Sequence, residues 1–251
     1  IYTSGTTGGP KGALLPHRTL LGHIPGVEMP HDFLSSSEPV TDLFWTPADW
    51  AWIGGLFDVL LPAWHFGIPV VSHRSQKFDP EFTFDLISKL NIQNTFLPPT
   101  ALKMMKSFNP SSTKYKLNLR TIGSGGEALG EDLLEWGKRI LGVNINEFYG
   151  QTECNLTISN SSAIMPTKQG SIGKPVPGQE VRIMNKRGEF IKEPGVDGEI
   201  VVNYNTPVAF LKYWENDKET QNKVINGWLH TGDFAFRDDE GDFYFKGRED
   251  D

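Results

Sequence analysis

The sequence is short of several things, and each shortage removes a class of protein. It has one cysteine, Cys154, in 251 residues. No internal disulfide can form, and a lone thiol suits a reducing compartment, so a cytoplasmic location is expected. It lacks an excess of positive charge: 24 Lys and Arg stand against 31 Asp and Glu, a net charge of −7. Nothing in that balance recommends a nucleic-acid partner. It lacks any apolar run of the roughly 18 residues that a membrane-spanning helix needs. Residues 51–71 come nearest, and Asp58, Pro62, His65 and Pro69 interrupt them. His17, His23, His31, His65, His73 and His230 show no metal-ligand spacing, which leaves packing or surface roles. No internal repeat or low-complexity segment is present. What remains is an ordinary soluble composition, 38% hydrophobic with a mean hydropathy of −0.35. The length allows one large domain or two smaller ones with a substantial core.

The most informative stretch is residues 2–12, Tyr-Thr-Ser-Gly-Thr-Thr-Gly-Gly-Pro-Lys-Gly. Glycine lets backbone approach a ligand closely, Ser and Thr hydroxyls donate to oxyanions, and Lys11 adds a cation. Such a loop can wrap a polyphosphate. It is not a Walker A loop, because Pro10 precedes Lys11 and Gly12, not Ser or Thr, follows it.

Beyond it, residues 19–27 read as a short helix limited by Pro25. Residues 44–55 carry three tryptophans, Trp45, Trp50 and Trp52, in eight positions. That suggests a wall that packs a core or lines an apolar pocket. Residues 67–71 read as a turn and a buried strand. Asp79-Pro80 is a helix start, with Phe82, Leu86, Ile87 and Leu90 as the buried face. A strand over 92–97, a helix over about 100–107 with Met104 and Met105 as core filler, and a strand over 119–122 follow. Next come a helix over 131–141 ended by Gly142 and a strand over 143–148. Strands alternating with helices indicate a largely parallel sheet flanked by helices, with ligands beyond the strands' carboxyl ends. From about residue 166 helical periodicity largely disappears. Short runs at 180–184, 198–203, 233–236 and 242–246, separated by turn residues, indicate an antiparallel, barrel-like β region. The expected division is therefore 1–165, an α/β nucleotide- and acyl-binding region, and 166–246, a β-rich subdomain. Residues 247–251 begin a hinge. The chain starts at the glycine-rich loop and ends on a charged run, so it reads as cut at both ends.

Four more segments complete an ordered set: Ser124-Gly125-Gly126-Glu127-Ala128, Tyr149-Gly150-Gln151-Thr152-Glu153, Thr231-Gly232-Asp233 and Gly247-Arg248-Glu249-Asp250-Asp251. With the 2–12 loop, this order resembles the acyl-adenylate-forming enzymes, which include acyl-CoA synthetases, peptide-synthetase adenylation domains and firefly luciferase. The fold implied is the N-terminal domain of such an enzyme, truncated. The activity implied is attack of a carboxylate on the α-phosphate of ATP, release of pyrophosphate, and transfer of the acyl group to coenzyme A. By this resemblance Thr3, Ser4, Gly5, Thr6, Thr7, Gly8 and Lys11 hold phosphates. Thr152 meets the α-phosphate, and Glu153 binds Mg²⁺. Tyr149 stacks on adenine, with Gln151 and the Gly125, Gly126, Glu127 and Ala128 backbone at its edge. Asp233 and Arg248 hold the ribose. Lys11, Thr152 and Glu153 form the catalytic set. The family's C-terminal domain supplies a lysine and swings about a hinge, here Asp250, and without that domain the chain should bind nucleotide weakly and not complete thioester synthesis. Cys154, next to this set, has no histidine partner by sequence and reads as a buried small residue.

Trp52, Ile53, Gly54, Gly125 and Gly150 are the expected acid-binding residues. The acetate enzymes of the acyl-CoA synthetase branch, which this chain looks most like, carry tryptophan where Gly150 stands. Glycine at 54, 125 and 150 therefore implies open space and a medium-chain, branched or aromatic acid. Two other readings stay open. A peptide-synthetase adenylation domain would use an acidic residue such as Asp49 to pair an amino acid's ammonium group. A non-catalytic nucleotide-binding relative is opposed by the intact Lys11, Thr152, Glu153, Asp233 and Arg248.

Overall fold

Asp79 and Pro80 show how closely local chemistry sets local structure. In the computed structural model, which describes residues 1–3, 9–34, 42–108, 110, 114–127 and 129–248, a helix runs Pro80–Leu90. Asp79 Oδ1 accepts from the Phe82 N–H at 3.1 Å, a cap worth about 1 kcal/mol. Asn91 ends the helix in the left-handed conformation at φ 54°. Thr83, Phe84 and Ile87 are buried; of the expected Phe82, Leu86, Ile87 and Leu90, Ile87 is buried and Phe82 and Leu86 are half-buried. Leu90 is exposed. The stripe is turned by Phe84, which stacks on Tyr115 with ring centroids 5.3 Å apart.

The chain folds into two compact units. One comprises Val27–Glu147 and Ser161–Gln169; the other comprises Ile1–Gly26, Phe148–Asn160 and Gly170–Asp251. In the first, Phe44–Trp45, Asn94–Phe96, Thr121–Ser124 and the first residues of Ile145–Gln151 pair in parallel, in that order. Helices Pro80–Leu90, Pro99–Phe108 and Glu131–Trp136 flank the strands. The last continues as a π-helical turn, Gly137–Leu141, and stops at Gly142. The core gathers Trp45, Phe84, Ile87, Leu102, Met105, Ile122 and Trp136. Met105 is buried as expected, whereas Met104 is exposed: neighbours in a helix point about 100° apart, and only one faces the sheet. The expected strand at 67–71 is a single parallel bridge, Phe44 to Val70, since Pro69 cannot donate to a ladder. The apolar run after Trp52 is helical through Ile53–Gly55, the π-helical Leu56–Leu60 and Leu61–His65.

In the second unit, Lys11–Leu14 lies between Tyr2–Thr3 and Lys212–Tyr213, all antiparallel. A larger antiparallel sheet runs Phe190–Ile191, Val181–Met184, Gly198–Asn203, Trp228–Arg237 and Val224–Ile225, with Phe243–Arg248 also on Trp228–Arg237. The strand entering at Phe148 does not end in an open loop. It continues to Gln151 and turns back at once into Cys154–Ser159, with Gln151 opposite Cys154. Thr152 and Glu153 form the two-residue connection. The core here is Tyr149, Cys154, Ile158, Val181, Ile200, Phe210 and Leu229 with their neighbours. The fold is thus α/β with a largely parallel sheet, followed by antiparallel β structure. Among the described residues, no helix is long and apolar enough to cross a membrane.

Candidate functional site

The second unit draws its expected site residues from four segments. Asp233, on Trp228–Arg237, is buried. Its Oδ2 accepts from the Tyr149 hydroxyl at 2.6 Å and from Gln151 Nε2 at 2.5 Å. Its Oδ1 lies 3.7 Å from Arg248 Nη1. The strands make this possible: Asp233 and Arg248 are register partners, and the 148–151 strand brings Tyr149 and Gln151 to the same carboxylate. Burial first, then the Asp233 charge, push the Tyr149 hydroxyl well above its ordinary range, so it stays a donor.

Glu153 is also buried, and its Oε1 accepts from the Tyr213 hydroxyl. Burial and then that carboxylate push the Tyr213 hydroxyl upward. Lys11 pairs with Glu219 at 2.5 Å and lies over the Tyr213 ring, 5.3 Å from its centroid. Thr3 is the register partner of Lys11. Ser4, Gly5, Thr6, Thr7, Gly8, Ala128 and Asp250 lie outside the described residues. Cys154 is fully buried, and burial pushes its thiol up to about 12, which keeps it protonated and unreactive.

The sequence reading missed Tyr213, Glu219 and Lys223. The last two sit on the helix Asp217–Lys223, which buries none of its residues, so no apolar stripe could reveal it. A cap signal was there to find: Asn216 accepts from the Glu219 N–H at 3.2 Å, with Asp217 and Glu219 in the first turn.

In the first unit, Ile53 and Gly54 are buried and Trp52 is 40% exposed. Trp52 and Phe96 have ring centroids 5.8 Å apart. At Gly54 and Gly150 the expected open space is not there. A Cβ on Gly54 would fall 2.7 Å from the Trp52 ring and 2.9 Å from Phe96. In the second unit, a Cβ on Gly150 would fall 2.3 Å from the Leu156 backbone nitrogen. Glycine is needed at both for close approach, by rings in one case and by the hairpin's own backbone in the other. Gly125 is buried, Glu127 is exposed, and a Cβ on Gly126 would sit 3.8 Å from the Trp52 ring. Asp49 is exposed and accepts from the Ala51 N–H at 2.7 Å, a local turn contact.

The residues fit a magnesium nucleotide in chemistry. A buried carboxylate with an arginine beside it suits a diol that both donates and accepts. No group of three His, Cys, Asp or Glu side chains able to hold a metal occurs among the described residues. One carboxylate suffices for Mg²⁺ when phosphate oxygens and water complete its shell.

Known proteins match this chain over its whole length. The chain is 30% identical to an acetyl-coenzyme A synthetase of Bacillus subtilis over its whole length, and spans 43% of that protein. It superposes on an anthranilate CoA ligase bound to anthranoyl-AMP with a TM-score of 0.86 and 30% identity, covering all of this chain and 47% of that one. On the o-succinylbenzoate coenzyme A synthetase of Bacillus subtilis, bound to ATP and magnesium, the TM-score is 0.84 at 28% identity, covering all of this chain and 50% of that one. The chain thus spans about half the length of the proteins it matches. Residues 1–214 match the AMP-binding enzyme family, and this chain belongs to that family.

Proposed function

We propose that the protein activates a carboxylic acid as an acyl-adenylate with release of pyrophosphate and passes the acyl group to coenzyme A. The observation that carries this reading is the gathering of Tyr149, Gln151 and Arg248 on the one buried carboxylate of Asp233. Three separate motifs of the family meet there on a group suited to a ribose. ATP, bound with Mg²⁺, supplies an electrophilic phosphorus and a good leaving group. The protein's task is then to align two anions and offset their repulsion. In this reading Asp233 and Arg248 hold the ribose hydroxyls, and Tyr149 stacks on the base. Glu153 holds Mg²⁺, Thr152 donates to the α-phosphate, and Lys11 with Thr3 and residues 4–8 neutralises the remaining phosphates. Lys11 must leave Glu219 to do so. That exchange is favourable, because a polyphosphate offers more charge than one carboxylate.

The acid itself is proposed to be medium-chain, branched or aromatic. Support comes from the half-exposed Trp52 indole beside Phe96, an apolar face for a ring or chain, and not from empty space at glycine. Each buried methylene would add about 0.8 kcal/mol of binding. The carrier-loading alternative loses ground because Asp49 is exposed and already engaged by its own turn. The cytoplasm remains the proposed location, with Asp250 as pivot of a hinge. Carboxylate-dependent ATP–pyrophosphate exchange on the intact protein tests this reading, with acetate, hexanoate, benzoate and amino acids compared. Exchange with hexanoate or benzoate exceeding that with acetate is expected. Exchange with amino acids only would move the protein to carrier loading, and none with any acid would end the catalytic reading.

A further inference from the structure

Gln151 is the link between the Thr152–Glu153 turn and Asp233, and its amide has two ends that differ in chemistry. Nε2 donates to Asp233 Oδ2 at 2.5 Å and to the Thr231 carbonyl at 3.0 Å. Turned over, the amide would set Oε1 against a carboxylate and a carbonyl, three acceptors with no proton among them. Something must hold the amide the right way round. Lys223 does this from the end of the exposed helix Asp217–Lys223. Its Nζ donates to Gln151 Oε1 at 3.1 Å and to the same Thr231 carbonyl at 3.0 Å. An ammonium group has donors only, so it can face Oε1 and cannot be satisfied by Nε2.

We infer that Lys223 is a positioning residue for nucleotide binding: it fixes the amide of Gln151, and through it the carboxylate of Asp233, in the orientation that reads a ribose diol. The inference rests on the proposed role of Asp233. The helix that carries Lys223 buries none of its residues, so packing does not explain why the side chain reaches inward to two acceptors on other segments. Beside Thr231, Glu199 accepts from the Gly232 N–H at 2.9 Å and pairs with His230 Nδ1 at 2.7 Å. Lys223 on the Thr231 carbonyl and Glu199 on the Gly232 N–H thus both hold this stretch of backbone.

The test compares dissociation constants for AMP and 2′-deoxy-AMP by calorimetry on the intact protein. A residue that only stabilises the helix end would lower the melting temperature and leave the ratio of the two constants alone. Lys223→Met should weaken AMP by about tenfold, or ~1.4 kcal/mol, and bring the ratio of the two constants toward one. Lys223→Arg, which keeps a charged donor, should retain most of the wild-type ratio. Lys223→Gln is measured beside Lys223→Met, so that a folding defect in either leaves the other to decide. Wild-type affinity and ratio in Lys223→Met or Lys223→Gln would overturn the inference. Asp233→Asn separates this from failure of the underlying reading. If Asp233→Asn abolishes the discrimination and the Lys223 variants do not, Lys223 alone is dismissed. If Asp233→Asn also leaves it intact, the ribose assignment falls and the inference with it.

Discussion

Around Asp233, contacts are made polar atom to polar atom: a tyrosine hydroxyl, an amide and a guanidinium converge on one carboxylate. Around Trp52 they are made surface to surface, ring against ring and ring against glycine. The first arrangement has direction. Each donor must point at its acceptor, and a misplaced partner leaves a buried charge uncompensated. The second has shape only, and a ring that is 40% exposed can shift without leaving a group unsatisfied. A part built on direction suits a ligand that never changes, as a nucleotide does not. A part built on shape suits a ligand that differs from one relative to the next. The proteins similar to this chain carry names that specify acetyl, anthranilate and o-succinylbenzoate, a spread of acids handled on one fold.

The strongest way to test that contrast is to put the same methyl group into both regions. In Gly150→Ala the new Cβ lands 2.3 Å from the Leu156 nitrogen, inside the hairpin that carries Tyr149 and Gln151. Backbone cannot step aside without breaking the pairing of Ile145–Gln151 with Cys154–Ser159. A loss of about 3 kcal/mol is expected, the upper range for overpacking. Thermal melting checks it, and a melting temperature within error of wild type would show the hairpin to be softer than the comparison requires.

An effect of similar size comes from a buried carboxylate of the first unit. Glu147 is 4% exposed, and burial pushes its carboxyl up to about 7 despite the Leu129 N–H that donates to Oε1 at 3.1 Å. The folded chain therefore holds a proton that the unfolded chain has released, across the window from pH 4.5 to about 7. Because the native state binds more protons there, stability falls as pH rises through that window and then levels off. The total is about 3 kcal/mol at 1.36 kcal/mol per unit. Glu147→Gln keeps the acceptor for Leu129 and removes the titration. It should match wild type near pH 4 and be the more stable protein at pH 8. Unfolding curves that stay parallel across this range would remove Glu147 from the account.

What was legible in the sequence divides along the same line. Residues whose chemistry is local could be read: Asp79-Pro80 announced the helix that follows, and the turn residues after 185 announced antiparallel strands. Residues of three motifs, Tyr149 and Gln151, Asp233, and Arg248, do come together on one carboxylate. Side chains that act through partners distant in sequence could not be read. Tyr213 meets Glu153 across 60 positions, and Lys11 meets Glu219 across 208; no spacing rule connects them. The helix Asp217–Lys223 was hidden because it carries no apolar residue to mark a face. Gly54 and Gly150 misled in the opposite sense. A glycine leaves the same letter in the sequence whether it lines a void or lies under another chain segment, and only the neighbours decide which.

Gly54→Ala is the small-effect partner of Gly150→Ala and the sharper test of the comparison. Its Cβ would meet the Trp52 ring at 2.7 Å and Phe96 at 2.9 Å. Phe96 is buried and fixed, so Trp52, which is half in solvent, must give way. The expected cost is about 1 kcal/mol, the low end for an added methyl in a packed site. Most of that change should appear in function and not in stability. A displaced indole alters the surface offered to the acid, so the ratio of hexanoate- to acetate-dependent pyrophosphate exchange should move while the affinity for AMP stays put. A stability loss as large as that of Gly150→Ala would mean that the aromatic region is held as rigidly as the carboxylate site, and shape could not then be the adjustable part of the molecule. An unchanged acid ratio with a small stability loss would mean that Trp52 does not touch the acid at all.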